Sequence, residues 1–117
     1  MFCIGLAMTL REGAYAKYKR AHERLWPEIA RSMRESGVSM AIYRDGRRLF
    51  LFAAAPDKRH WLRSRKDPLL PKWDAALTRS LESASPGRIA FTVLPKAFGF
   101  GEFSDGRLAR RSKAKAR

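Results

Sequence analysis

One cysteine, two histidines and eleven carboxylates among 117 residues leave little material for thiol, metal or acid-rich chemistry. Cys3 alone cannot close an internal disulfide or anchor a cysteine-rich metal site. Its place inside an apolar alternation suits a small core filler better than a nucleophile. The two histidines are His22 and His60; no carboxylate pair stands at ligand spacing beside His22, and Arg59, Arg63 and Arg65 around His60 repel a cation. No metal site is therefore expected, and His60 is expected to be exposed. A phosphate-cradling loop is missing too, because Gly99-Phe100-Gly101 follows the last apolar run and opens no helix. Long hydrophobic runs are absent. The apolar stretch at residues 1–10 has no basic segment before it and stops at Arg11-Glu12, short of the ~20 residues that span a bilayer. The expectation is a cytoplasmic protein without a membrane partner.

The shortage of acids has its own consequence. Twenty-five Lys and Arg outweigh eleven Asp and Glu, for a formal charge of +14. Residues 104–117 carry Arg107, Arg110, Arg111, Lys113, Lys115 and Arg117 against Asp105 alone. With only Leu108 and a few alanines as apolar matter, this stretch cannot offset the entropy of ordering and reads as a basic, disordered tail. Residues 1–103 remain as one domain, since 45% apolar content in a chain this short supports a single core. The excess charge serves solubility, or a weak and nonspecific adhesion to nucleic acid through the tail.

What is present is patterned. Phe2, Ile4, Leu6, Met8 and Leu10 alternate with Cys3, Gly5, Ala7 and Thr9, giving a strand with one bulky and one small face. The small face suggests close approach by a helix or a ligand. Tyr15, Tyr18, His22, Leu25, Trp26, Ile29 and Met33 then recur at helical spacing, predicting a helix over 14–36 with a kink or restart near Trp26 at Pro27, ended by Gly37. Runs 38–44 and 47–55 flank Asp45-Gly46, a hairpin signal with both residues at positive φ. A short helical piece at 58–65 precedes a helix with Asp67 as N-cap and Pro68 first, carrying Leu70, Trp73, Leu77 and Leu81 on one stripe. Ser85-Pro86-Gly87 closes it, and 88–94 supplies a fourth strand. The order strand, helix, strand, strand, helix, strand is an α+β, ferredoxin-like split βαβ arrangement: a four-stranded antiparallel sheet with helices on one face. Phe50 or Leu51, whichever faces away from the helices, would then stand in water, so a homodimer through the open sheet face is expected.

Only one constellation offers chemistry. Tyr18, His22 and Trp26 succeed one another at four-residue steps, so they share a face. A histidine on an apolar stripe is ordinarily a satisfied core residue. Flanked by Tyr and Trp, it also offers polar tips beside aromatic surface, which suits the hydroxyls and C–H face of a pyranose.

The string Tyr18-Lys-Arg-Ala-His22-Glu-Arg-Leu-Trp26-Pro27-Glu28 resembles the Y-x-x-x-H-x-x-x-W-P-E signature of the L-rhamnose mutarotases. Ala41-Ile42-Tyr43, the apolar run 49–53, Trp61, Asp67 and Trp73 extend the resemblance over about residues 1–103. It implies a dimeric α/β barrel of ferredoxin-like protomers and cofactor-free interconversion of the anomers of a monosaccharide such as L-rhamnose. It further implies that His22 is the catalytic acid/base and that Tyr18, Met40, Lys72 and Trp73 occupy substrate-binding positions. Two of these depart from the family pattern: Met40 stands where a tyrosine is usual, and Lys72 replaces the first of two adjacent tryptophans. A relative acting on L-fucose, or on an acidic sugar paired with Lys72, is the alternative. A cofactor-independent oxygenase or a structural dimer on the same architecture is a further one. An RNA-binding sheet is disfavoured, because no strand carries the Lys/Arg-Gly-Phe-Gly/Ala-Phe pattern.

Overall fold

Alternation along the first residues becomes β1 (Phe2–Thr9), and in the computed structural model, which describes residues 1–104, the main sheet is built around this strand. β1 pairs antiparallel with β3 (Arg48–Ala55) on one side and with β6 (Phe91–Leu94) on the other. β2 (Ser39–Asp45) completes the order β2-β3-β1-β6, the expected ferredoxin-like sheet. The register sets Leu6 beside Leu51 and Val93, and Met8 beside Leu49 and Phe91. Cross-strand neighbours share a face, so the bulky residues of β1 and β3 lie together under the helices. The small residues Cys3, Gly5 and Ala7 face the other way, beside Phe50 and Phe52. None of the described α-helices covers that side; Phe103, at the end of a single 3-10 turn (Gly101–Phe103), reaches it, its ring meeting Phe52 edge-on at 5.3 Å.

The stripe expected as one kinked helix forms two, α1 (Tyr15–Glu23) and α2 (Pro27–Glu35). Pro27 has no N–H and biases its predecessor toward extended backbone; Trp26 accordingly takes φ −58°, ψ 130°, and Pro27 starts the second helix. Gly37, at φ 68°, ends α2 with Val38 N–H donating to the Met33 carbonyl at 2.9 Å.

The hairpin turn falls one residue later than expected. Asp45 pairs with Arg48, so Gly46 and Arg47 form the loop. Only Gly46 has positive φ, at 60°. That is the demand of a type II′ turn rather than I′.

The second half shows larger differences. α3 (Lys58–Ser64) is capped by the Asp57 carboxylate, which accepts from the His60 N–H at 2.8 Å. Asp67 caps a turn instead, accepting from Leu69 N–H at 2.8 Å, and α4 spans Leu70–Leu77. Leu81 is fully buried but not helical; it bridges Leu10 across the end of the sheet. The run read as one strand at 88–94 is broken at Ala90. β4 (Ser83–Ser85) and β5 (Arg88–Ile89) make a small hairpin around Pro86-Gly87, and only β6 joins the main sheet.

Leu49 sits at the centre of the core with Met8, Leu10, Tyr18, Ile29, Trp73 and Leu77, 1% exposed. Ala53, Ala55 and Trp61 form a neighbouring cluster with Phe2, Ile4 and Met40. The basic tail expected at 104–117 lies, apart from Ser104, outside the described residues. Leu49→Ala should lower the unfolding free energy by about 2–5 kcal/mol in urea titration, since strands on both sides hold the cavity open. A loss below ~1 kcal/mol would show that Leu49 is not central.

Candidate active site

α1 carries Tyr18 and His22 one turn apart, with their rings 4.3 Å from centroid to centroid. Trp73 of α4 meets the His22 ring edge-on at 5.4 Å, and Trp26, from the break between α1 and α2, meets Trp73 at 5.3 Å. The break at Pro27 thus leaves Trp26 on the same aromatic cluster to which helical spacing assigned it.

His22 is fixed through its ring. Nδ1 lies 3.1 Å from the Tyr18 carbonyl oxygen. A carbonyl only accepts, so Nδ1 carries the proton and, in the neutral ring, Nε2 holds the lone pair. Burial lowers the His22 pKa below its ordinary 6.5, and the bond to the Tyr18 carbonyl opposes that shift by less. Burial also pushes the Tyr18 phenol up to about 12. At neutral pH the site therefore presents a protonated phenol and a neutral imidazole. Among the described residues no buried side-chain nitrogen or oxygen lacks a partner, and neither the Tyr18 hydroxyl nor His22 Nε2 is hydrogen-bonded. Both tips consequently reach accessible surface, although Tyr18 as a whole is only 4% exposed.

Of the other candidate residues, Trp73 belongs to this cluster. Met40 lies opposite Ala53 in the neighbouring cluster around Trp61. Lys72 is exposed on α4 beside Trp73. His60 is half-buried rather than exposed, its Nδ1 2.6 Å from the Asp57 carboxylate that also caps α3. No three His, Cys, Asp or Glu side chains converge among the described residues.

Two charged residues escaped sequence reading. Arg65 lies with its guanidinium 4.5 Å over the Trp61 ring, its pKa lowered by burial against the pull of Asp74. Asp74, half-buried on α4, is raised by burial while Arg65 opposes the shift. The available signal was that position 74 lies one turn after Leu70 on the buried stripe.

An NMR titration of the His22 ring should give a midpoint below 6.5, with Nδ1 protonated in the neutral form. The linkage has a definite sign. With its folded pKa below the unfolded one, His22 favours the folded state above pH 6.5, and that contribution is lost as the pH falls from 6.5 through the folded pKa. A midpoint above 6.5 would refute the buried, neutral imidazole.

A family profile described as L-rhamnose mutarotase matches residues 3–98. An L-rhamnose mutarotase of Verminephrobacter eiseniae is 30% identical over 98 residues, covering 81% of this chain and 92% of its own length. Another, from Brucella anthropi, is 38% identical over 69 residues, covering 56% of this chain and 65% of its own length. The crystal structure of an L-rhamnose mutarotase from Formosa agariphila superposes with a TM-score of 0.73 at 21% identity, over 86% of this chain and all of that one. With the profile spanning most of the ferredoxin-like domain, the chain belongs to the L-rhamnose mutarotase family, a family of sugar isomerases.

Proposed function

We propose that this protein interconverts the α and β anomers of a six-membered sugar such as L-rhamnose, without a cofactor, and that His22 carries the proton. The observation that supports it is an imidazole with Nδ1 tied to the Tyr18 carbonyl and Nε2 accessible among Tyr18, Trp26 and Trp73. Ring opening moves one proton from the anomeric hydroxyl to the ring oxygen as the bond between that oxygen and the anomeric carbon breaks. Both oxygens are attached to the same carbon, so one imidazole can serve both. Neutral His22 accepts the hydroxyl proton at Nε2, and the imidazolium delivers it to the departing ring oxygen. The aldehyde rotates about its bond to the next carbon, and the reverse transfer closes the other anomer.

Tyr18, with a pKa near 12, keeps its proton at neutral pH and acts as a hydrogen-bond donor rather than a base. Trp73 supplies an apolar surface for the C–H face of the ring. Met40 and Lys72 are the proposed positions that set the sugar range, Met40 as part of an adaptable apolar wall. L-fucose or an acidic sugar is the alternative substrate.

His22→Ala should slow catalysed anomer exchange by about 10²–10⁴-fold, measured by saturation-transfer NMR, with unchanged circular dichroism. Tyr18→Phe should retain more activity than His22→Ala. Near wild-type exchange in folded His22→Ala would remove the assignment.

We further propose a homodimer through the open sheet face, where Tyr43, Phe50 and Phe52 are 70%, 36% and 38% exposed. Burying such rings contributes about 1.5–3 kcal/mol each. Phe50→Asp with Phe52→Asp should therefore yield a monomer by sedimentation at micromolar concentration. An unchanged dimer would place the interface elsewhere.

A further inference from the structure

Trp73 meets His22 and, together with Trp26, also lines a cavity of about 270 Å³ between α1 and α4. Neither His22 nor Tyr18 lines this space. Its charged lining residues are all cations: Lys17 and Arg24 from α1 and its C-terminal cap, and Arg79 just beyond α4. None of the three is ion-paired or hydrogen-bonded through its side chain among the described residues, where the ion pairs are Arg47–Glu82 and His60–Asp57. The site therefore combines an aromatic wall with unneutralised positive charge.

The dimensions and chemistry narrow the ligand. Pockets for drug-sized molecules and cofactors run to about 300–1,000 Å³. At about 270 Å³ the space lies below that range and suits one sugar ring with a small substituent. Two indoles at 74° to each other form a corner against which the C–H face of a pyranose packs. A neutral sugar leaves three cations unused, and a bare inorganic anion leaves the indoles unused. The guanidinium groups of Arg24 and Arg79 are planar forks that match a carboxylate or a phosphate through paired hydrogen bonds.

We propose that this cavity is a second sugar site, one that His22 does not line although it shares Trp26 and Trp73 with the His22 cluster, and that it binds an anionic six-membered sugar through these indoles, Lys17, Arg24 and Arg79. It goes beyond the anomer-exchange reading and does not require His22 to be catalytic. A hexuronate and a hexose phosphate share the chemistry, and titration separates them.

Calorimetry at low ionic strength, with tryptophan fluorescence as a second readout, should be run with D-glucuronate, D-glucose 6-phosphate, D-glucose and inorganic phosphate. At least one sugar anion should bind tenfold or more tightly than both D-glucose and phosphate. The stronger of the two identifies the anionic group. Arg24→Gln with Arg79→Gln should weaken that binding at least tenfold while leaving exchange of a neutral sugar unchanged. Ala76→Trp, which fills the cavity from an exposed helix position, should abolish binding without altering circular dichroism. His22→Ala should bind normally, which separates this site from the anomer-exchange reading. The proposal is overturned if the sugar anions bind no better than D-glucose or phosphate. It is equally overturned if binding survives both cavity variants, or is lost in folded His22→Ala.

Discussion

The pairing of β1 with β3, residue 6 beside 51 and 8 beside 49, is the constraint from which the other features follow. A strand has only two faces, so this register decides at once which side chains meet the helices and which meet solvent. It brings Met8, Leu49 and Leu51 beneath α1 and α4, and those helices then hold Tyr18 and Trp73 against that floor, with the His22 ring beside both. A slip of β3 by one residue would put Phe50 and Phe52 on this floor in place of Leu49 and Leu51. The aromatic cluster and the open apolar face are two results of the same alignment.

Much of this was legible locally. Strand alternation and the helical recurrence of Tyr18, His22 and Trp26 depend on neighbours three or four residues away, and these survive folding unchanged. Trp26 shows the limit. Pro27 breaks the helix ahead of it, yet its ring still reaches Trp73, because one extended residue turns the chain without carrying it off the cluster. Leu81 was read correctly as buried and wrongly as helical: periodicity reports the need for burial, and the bridge to Leu10 satisfies that need by another backbone path.

What could not be read was set by contacts distant in sequence. The facing of Arg65 and Asp74 depends on the packing of α3 beside α4, which no local window contains. Lys17, Arg24 and Arg79 are ordinary surface cations in sequence; only the approach of α1 to the end of α4 brings them to one rim. Lys72 draws interest in the sequence because it adjoins Trp73, whereas the charged lining of the cavity comes from Lys17 and Arg24 of α1 and its cap and from Arg79 beyond α4. The protonation states of the aromatic cluster have the same origin. Burial keeps Tyr18 protonated and His22 neutral, and burial is a property of the assembled layers.

The position of β6 affects how the chain is made as well as how it stands. Gly46 closes β2 onto β3 within a few residues, a local event of microseconds. β1 pairs with β6 only across some eighty residues of intervening chain, an entropic cost that topology places late. At synthesis rates of about 5–20 residues per second, the outer edge of β1 waits roughly 4–17 s before its native partner has even been polymerised. During that interval an apolar strand with unpaired backbone groups is open to any other extended chain. The last strand of the sheet therefore guards the nascent protein against misassembly, and its arrival time sets the length of the vulnerable period.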